Sequence, residues 1–211
     1  MILYSYYRST SSYRVRLALE LKGLDYTVKP VNLIKDGGEH RSSGYLELNP
    51  QGRVPTLVDG DVTVIQSPAI IEYLEAVYTA SPLLKGSQAD QALARSVASL
   101  IGCDIHPLHN VSVLNKLRAS GHDEGFINQW IHSWIADGFT AVENLIGDQG
   151  WSLGDEPGLS DVYLLPQVYA AQRFGLDLTP FPRIARIAEL AKTHPAFQRA
   201  HPANQIDSPP R

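Results

Sequence analysis

The first third of the chain alternates between strand-like and helix-like patterns of apolar residues. Residues 2–6 are short, β-branched and aromatic, which predicts a strand. Apolar residues at helical spacing follow from about Tyr13. Ser12 is the candidate N-cap of this helix, and Gly23 stands where a left-handed C-terminal residue belongs. The chain therefore begins with a strand and a helix with recognisable caps.

The pattern then continues with more strands and two helical pieces. Alternating apolar residues predict strands at residues 26–32, 54–58 and 62–66. The last two flank Asp59-Gly60-Asp61, which is typical of a hairpin turn. Helical spacing predicts a weak turn at residues 45–48 and a helix over residues 67–77. The predicted order is β-α-β-α-β-β-α.

The sequence changes character at residues 81–87, which hold a proline, a glycine and two serines. From Gln88 onward nearly every segment has helical spacing, and no convincing strand pair is present. We therefore expect an α/β domain over residues 1–80 and an all-helical domain over residues 88–211.

Several features of the second domain have simple structural interpretations. Trp130 and Trp134 lie four positions apart, so they share a helix face, where packing is a commoner role than cofactor binding. His106 and His109 lie three apart, but no third ligand is near, so we expect no metal. The tail over residues 203–211 is expected to be poorly ordered.

Charge and cysteine content restrict the partners of the chain. A formal net charge of -4 over 211 residues gives no overall attraction to nucleic acid or to an anionic membrane. The N-terminus lacks the features of a signal peptide, and no 18-residue apolar window is present. The one cysteine, Cys103, cannot form an internal disulfide, and we expect its thiol to be buried. These observations predict a cytoplasmic protein without nucleic-acid or membrane partners.

A proline at the start of a predicted strand is the first candidate for chemistry. Pro55 stands where it would normally interrupt the strand. A cis bond before it would let Val54 present its N–H and C=O to a bound peptide. A proline on an edge strand is the alternative.

The junction between the last predicted strand and the helix over residues 67–77 is the second candidate. Gln66 and Ser67 place an amide and a hydroxyl at a helix N-terminus, with Pro68 in the first turn. Such a terminus binds carboxylates, and the amide can accept a hydrogen bond from an ammonium. The junction therefore suits a free α-amino acid end. Helix capping by Ser67 is the alternative, and it does not exclude a ligand.

The loop after the first strand is the third candidate, with four hydroxyls at residues 9–12 between Arg8 and Arg14. Hydroxyl donors at a helix N-terminus stabilise an anion such as a thiolate. The loop contains no cysteine, so thiol chemistry would need a sulfur that arrives with a bound cofactor. Helix capping in an exposed turn is the simpler alternative for this stretch alone.

The three candidates and the helical second half together resemble the zeta class of glutathione transferases. The segment Ser9-Thr10-Ser11-Ser12-Tyr13-Arg14-Val15-Arg16 is similar to the class signature Ser-Ser-Cys-Ser-Trp-Arg-Val-Arg. The resemblance spans nearly the whole chain. It implies a thioredoxin-like N-terminal domain followed by an all-helical C-terminal domain, glutathione as cofactor and, usually, a homodimer.

The resemblance also implies a reaction. Members of this class isomerise maleylacetoacetate to fumarylacetoacetate in tyrosine and phenylalanine breakdown, by reversible addition of the glutathione thiolate to the double bond. The alternatives are maleylpyruvate isomerisation, general glutathione transfer or haloacid dehalogenation, and glutathione binding without catalysis. Relatives that act on maleylpyruvate carry arginines after the asparagine matched by Asn110, whereas Val111 and Ser112 follow it here. This difference favours maleylacetoacetate, a small dicarboxylate.

Individual roles follow from the same resemblance. Ser9 matches the serine that hydrogen-bonds the glutathione sulfur, Thr10 keeps a hydroxyl, and Ser11 stands where many members carry cysteine. The implied catalytic residues are Ser9, Thr10 and Ser11, with Ser9 as the first candidate for the main contact with sulfur and Ser11 as the alternative. Arg8 and Arg173 match basic positions for the substrate carboxylates, with a surface ion pair as the alternative for Arg8. The implied glutathione-binding positions are Ser9, Thr10, Ser11, Ser12, Tyr13, Arg14, His40, Val54, Gln66, Ser67, His106 and Asn110.

Overall fold

The computed structural model describes residues 1–210, and for Asp36 it describes the backbone alone. The chain divides into two compact units. These units consist of Met1–Leu83 with the segment from Thr193 onward, and of Leu84–Lys192. The division between them falls inside the boundary predicted at residues 81–87.

The C-terminal segment belongs to the first unit, so the predicted second domain of residues 88–211 extends too far. A short helix, Pro195–Ala200, packs against the first helix of the chain, and its last carbonyl accepts a hydrogen bond from Arg16 at 3.0 Å. Farther along, Asp207 accepts a backbone N–H of the first unit at 2.9 Å. The prediction of a poorly ordered tail is therefore wrong for this part of the chain. Arg211, the last residue of that prediction, lies outside the described residues.

The first unit is built on a four-stranded sheet in the order β2-β1-β3-β4. Its strands are β1 (Ile2–Ser5), β2 (Thr27–Pro30), β3 (Thr56–Asp59) and β4 (Val62–Ile65). Strand β1 is parallel to β2 and antiparallel to β3, and β3 is antiparallel to β4. The helices of this part are α1 (Thr10–Lys22), α2 (Ser43–Leu48) and α3 (Ser67–Val77). The predicted β-α-β-α-β-β-α order is confirmed.

Helix α1 begins three residues earlier than the sequence predicted. Ser9, not Ser12, is its N-cap, and the Ser9 Oγ accepts the Ser12 N–H at 3.2 Å. Any of several adjacent hydroxyls can cap a helix, and the structure selects Ser9 because its extended backbone lets its carbonyl accept the Tyr13 N–H at 2.9 Å. At the other end Gly23 has φ 67°, which confirms the predicted left-handed residue.

A buried ion pair joins the end of α1 to α3, and the same two side chains also bond the segment that follows α3. Lys22 Nζ lies 2.8 Å from a Glu75 carboxylate oxygen and also donates to the Ser81 carbonyl at 3.0 Å. The same carboxylate accepts the Leu83 N–H at 2.7 Å. A buried charge is stable only where it has such partners. The point at which the chain leaves the first unit is therefore fixed by polar contacts.

The second unit contains no strand longer than one bridge, between Trp151 and Gly154, among its described residues. The remaining helices are α4 (Gln88–Ser99), α5 (Val111–Ala119), α6 (Glu124–Leu145), α7 (Leu159–Arg173), α8 (Pro182–Thr193) and, in the C-terminal segment, α9 (Pro195–Ala200). Helix α4 continues as a π-helical turn, Leu100–Ile105. The Ile105 Cδ1 packs so closely on Gly138 of α6 that a Cβ there would lie 2.2 Å away. The prediction of a helical second half is confirmed.

Two local predictions for this unit have different outcomes. Trp130 and Trp134 lie along α6 with ring centroids 5.7 Å apart, and the Trp130 indole N–H donates to a backbone carbonyl at 2.7 Å. Trp134 is 38% exposed, so the packing role holds for Trp130 and only in part for its neighbour. Cys103 is exposed, against the prediction, because the two isoleucines of the π-helical turn occupy the inward positions. No helix in the described chain is long and apolar enough to cross a membrane.

Helix α9 generates a prediction because its N-cap is a histidine. His194 Nδ1 accepts the Ala196 N–H at 3.3 Å, which requires an unprotonated nitrogen. Burial, helped by the charge of Arg199, lowers the His194 pKa below its usual range. The neutral ring is thus favoured in the folded state. Its contribution to stability is complete above the unfolded pKa of about 6.5, and it is lost as the pH falls through the lowered folded pKa.

We expect His194→Asn to reduce the pH dependence of the unfolding free energy, because asparagine caps a helix without titrating. Urea unfolding of both proteins at pH 7.5 and pH 5 measures this. Acidification should cost the parent up to about 1 kcal/mol more than the variant. Equal losses would show that this cap does not titrate in the relevant range.

Candidate active site

The strand register brings the three candidate stretches to one end of the sheet. Tyr4 of β1 lies opposite Thr56 of β3, and Thr56 lies opposite Ile65 of β4. Because β3 is antiparallel to both neighbours, the loop after β1, the turn before β3 and the junction after β4 all leave the sheet at the same end. The sheet therefore forms the frame of a single site.

The four hydroxyls of the first loop are not equivalent. Thr10 and Ser12 are buried, whereas Ser9 and Ser11 are partly exposed. The Ser9 Oγ accepts the Ser12 N–H, which leaves its own hydrogen available to donate. The structure thus leaves Ser9 and Ser11 as the residues of this loop whose hydroxyls can face a ligand.

Three positions with an implied role in cofactor binding have buried side chains. Ser12, Tyr13 and Arg14 lie within α1, and Arg14 is 1% exposed. They are buried because α1 packs against α3 and α9 along its length. The Ser12 hydroxyl is buried with no hydrogen-bond partner among the described residues. A contact between these three residues and a ligand stays a prediction.

The turn before β3 has the predicted backbone form. The bond between Val54 and Pro55 is cis. The carbonyl before it, that of Arg53, accepts the Tyr45 hydroxyl at 2.6 Å and the Asn49 amide at 2.7 Å. The sequence analysis did not identify Tyr45 and Asn49 as site residues, because their role depends on contacts with a carbonyl several positions away. They fix the orientation of the peptide that Val54 would present.

The junction after β4 carries unusual backbone geometry at Gln66. Its φ is 71°, and it is the one non-glycine residue in the described chain with a positive φ. Such conformations cost energy and cluster at ligand sites. Gln66 is also the N-cap position of α3, so the alternative of capping by Ser67 is not what the structure shows. No side chain caps this terminus, which leaves N–H groups of the first turn for an anion.

His40 lies in a short turn next to Gly38. A Cβ on Gly38 would lie 2.2 Å from the His40 ring, so this close contact requires glycine. The His40 Nδ1 is buried and has no hydrogen-bond partner among the described residues. Burial lowers the His40 pKa, and the positive charge of Arg41 acts in the same direction. The rest of the neutral ring is partly exposed and can meet a polar ligand group.

The remaining predicted residues lie on other elements. Arg8 precedes Ser9 and is partly exposed, while Arg173 is exposed at the end of α7, with its guanidinium 4.8 Å from the Phe174 ring centroid. Asn110 caps α5, and its side-chain oxygen accepts the Ser112 N–H at 3.0 Å. His106 lies edge-on to His109 with centroids 5.4 Å apart. His106, Asn110 and Arg173 belong to the second unit.

Two other features bear on what the molecule could hold. Among residues 1–210 no group of three or more potential ligands is arranged for a metal ion. An open cavity of about 690 Å³ lies beside β2 and α2, with Tyr4, Lys29 and Tyr45 in its wall. None of the predicted site residues lines this cavity, and we place the site on the strand ends instead, where the polar groups converge.

Taken together, the first unit suits a thiol peptide. Ser9 and Ser11 offer hydroxyl donors at a helix start, the N–H groups of α3 suit a carboxylate, and the partly exposed His40 ring suits a second polar end. All of these groups are supplied by residues of this chain.

Known proteins with similar sequences and structures are consistent with this geometry. A family described as "Glutathione S-transferase, N-terminal domain" matches residues 8–77. A maleylacetoacetate isomerase of Pseudomonas aeruginosa is 65% identical over 210 residues, which are 99% of each chain.

Two solved structures extend the similarity to the whole fold. The holo structure of a maleylpyruvate isomerase, a bacterial glutathione transferase of the zeta class, has a TM-score of 0.94 and 44% identity over 99% of this chain and all of the other. A maleylacetoacetate isomerase of Methylobacterium extorquens AM1 with bound malonate and glutathione has a TM-score of 0.92 and 32% identity over all of both chains. The chain therefore belongs to the glutathione transferase family, in its zeta class.

Proposed function

We propose that this chain is a glutathione-dependent cis–trans isomerase that converts maleylacetoacetate to fumarylacetoacetate. The observation that carries this function is the 65% identity with a maleylacetoacetate isomerase over 99% of both chains. The site supports it, because a loop rich in hydroxyls and free of cysteine suits a sulfur brought by the cofactor.

Ser9 is the residue that we assign to the sulfur. Bound glutathione would supply a thiolate that adds reversibly to the conjugated double bond of the substrate and so permits rotation about it. The Ser9 hydroxyl can donate a hydrogen bond to that thiolate, because its oxygen already accepts the Ser12 N–H. The positive end of α1 favours the same negative charge. Ser11 is a second donor in the same turn.

Other residues of the first unit would hold the peptide. The open N-terminus of α3, with Gln66 beside it, suits the α-amino acid end of glutathione. Val54 can pair with the peptide backbone, and His40 can hydrogen-bond a carboxylate. We keep Ser12, Tyr13 and Arg14 in the proposed glutathione-binding set, with their buried side chains as supports of this surface.

The substrate is a dianion, so guanidinium groups are the expected partners for its carboxylates. The candidates are Arg8, which precedes Ser9 in the loop after β1, and Arg173, which is exposed at the end of α7. His106 and Asn110 stay proposed glutathione-binding positions, as the family resemblance implies. Maleylpyruvate is the second candidate substrate, supported by the 44% identity and the TM-score of 0.94 with a maleylpyruvate isomerase. Val111 and Ser112, in place of arginines, favour maleylacetoacetate.

The assembly and setting of the enzyme are also proposals. A homodimer and a role in tyrosine and phenylalanine breakdown rest on the family resemblance. A cytoplasmic location is supported by the single cysteine, which cannot form an internal disulfide. Sedimentation velocity at micromolar concentration should give about twice the chain mass of 23.2 kDa. A monomer at all concentrations would contradict the dimer.

The reaction itself is tested by following maleylacetoacetate and maleylpyruvate spectroscopically, with and without glutathione. We expect turnover of maleylacetoacetate that requires glutathione and leaves its concentration unchanged. Maleylpyruvate should have a lower kcat/KM. Preference for maleylpyruvate would favour the second candidate, and no reaction with either acid would contradict the proposed function.

Ser9→Ala should lower kcat by about 100-fold, because the loss of one hydrogen-bond donor to an active-site anion usually has an effect of this size. Ser11→Ala should have the smaller effect. Steady-state kinetics with saturating glutathione measure both.

Ser87→Ala is the matched control, because Ser87 caps α4 by accepting the Asp90 N–H at 3.2 Å, much as Ser9 caps α1. It should lose stability of about 1 kcal/mol and keep its turnover. If Ser9→Ala keeps full activity, the sulfur contact belongs to another residue.

A further inference from the structure

The backbone of Tyr7, two residues before Ser9, is held on both sides by contacts that lead to the C-terminal segment. Its N–H donates to the Asp207 Oδ2 at 2.9 Å, across 200 positions of sequence. Its carbonyl accepts Arg16 Nη2 at 3.0 Å, and the Nε of the same arginine donates to the Ala200 carbonyl at 3.0 Å. The peptide groups of Tyr7 are therefore fixed by the far end of the chain.

This anchorage reaches Ser9 through the turn between them. The Ser9 N–H donates to the Tyr6 carbonyl at 3.0 Å, so the peptide plane between Tyr6 and Tyr7 also sets the position of Ser9. The carbonyl of Ser9 then accepts the first hydrogen bond of α1, from Tyr13 at 2.9 Å. A shift at Tyr7 would move the serine relative to the helix start.

The segment that carries Asp207 is itself folded. The Asn204 side chain donates to the Gln198 carbonyl at 2.7 Å, and the Gln205 side chain donates to the Arg199 carbonyl at 2.8 Å. The Ser208 N–H donates to the Gln205 carbonyl at 3.0 Å. These bonds tie the tail to α9, which packs on α1. Asp207 is thus presented from a defined support.

The surroundings of Asp207 indicate that its side chain lowers the stability of the folded chain. One of its oxygens, Oδ1, is buried and has no hydrogen-bond partner among the described residues. Such an atom lowers stability unless something else is gained. Burial raises the pKa of the nearby Tyr6 hydroxyl, the charge of Arg8 lowers it, and the charge of Asp207 raises it. No lysine or arginine is bonded to this carboxylate among the described contacts.

We propose that Asp207 is a positioning residue, which holds the Tyr7 amide and thereby places the Ser9 hydroxyl at the start of α1. This inference rests on the proposed role of Ser9 and extends it to the opposite end of the chain. Asp207 touches neither cofactor nor substrate. Its loss should therefore affect kcat and the acidity of the bound thiol, and leave the KM for glutathione nearly unchanged.

Asp207→Ala tests the inference in the free enzyme and in the complex. In the free enzyme, hydrogen exchange of the Tyr7 amide should accelerate by about 10-fold or more, because a hydrogen bond to a charged acceptor is lost. In the glutathione complex of the variant, the pKa of the bound thiol should be higher than in the parent. Its thiolate absorbance near 240 nm should therefore appear at higher pH. The kcat should fall by about 10-fold or more through misplacement of Ser9.

Two further variants separate positioning from general stability. Asp207→Asn keeps an acceptor oxygen for the Tyr7 amide, so it should restore most of the kcat and the thiol titration. Asp123→Ala also removes a carboxylate that accepts a backbone N–H. Asp123 accepts the Phe126 N–H at 2.8 Å at the start of α6. This variant should lose similar stability and keep both the kcat and the thiol titration.

The outcomes distinguish this inference from the proposed function. If Ser9→Ala abolishes turnover while Asp207→Ala alters neither the thiol titration nor the kcat, positioning by Asp207 is wrong and the role of Ser9 stands. If Asp207→Asn lowers kcat and shifts the thiol titration as much as Asp207→Ala does, the charge of Asp207 acts on its neighbours and positioning is again wrong. If Ser9→Ala is fully active, the role of Ser9 fails, and accelerated Tyr7 exchange still reports whether Asp207 holds the turn.

Discussion

The buried guanidinium of Arg16 is the interaction on which the first unit depends. It donates to the Ser5 Oγ, to the Tyr7 carbonyl and to the Ala200 carbonyl, each at 3.0 Å. Arginine does not lose its proton in proteins, so a guanidinium that is 0% exposed must be surrounded by acceptors. One side chain therefore ties the end of β1, the loop after it and the end of α9 to α1. Any arrangement that separated these elements would leave a buried charge without acceptors.

The second constraint is the antiparallel register of β3 with both of its neighbours. It places three connections at one end of the sheet, although they are separated by about 10 to 60 positions in sequence. Two of these connections carry polar groups that their own element does not use, the Ser9 hydroxyl hydrogen and the N–H groups at the start of α3, and Gln66 beside the latter has a positive φ. The chemistry of the site is thus a property of the sheet order, and the loops supply its groups.

Much of this could be predicted from sequence where the signal is local. The limits of α3 at Ser67 and Val77 and the left-handed Gly23 follow from apolar spacing and caps, and both are confirmed. The start of α1 was misplaced because four adjacent hydroxyls offer equivalent caps, and only the backbone conformation selects Ser9. The burial of Tyr13 and Arg14 depends on α3 and α9, and the contact of α1 with α9 joins Arg16 to Ala200 across 184 positions. No periodic pattern carries that information, which is also why the ordered tail was missed.

Both ends of the chain contribute to the first unit, and this has a consequence for synthesis. A ribosome delivers the N-terminal residues first, and domains generally fold as units while the chain emerges. The second unit, Leu84–Lys192, is complete before the first, because the first still lacks α9 and the tail. Until those residues leave the exit tunnel, Arg16 has no Ala200 carbonyl and the Tyr7 amide has no Asp207. The turn at residues 6–9 of a nascent chain therefore takes its final form only after Ala200 and Asp207 have left the tunnel.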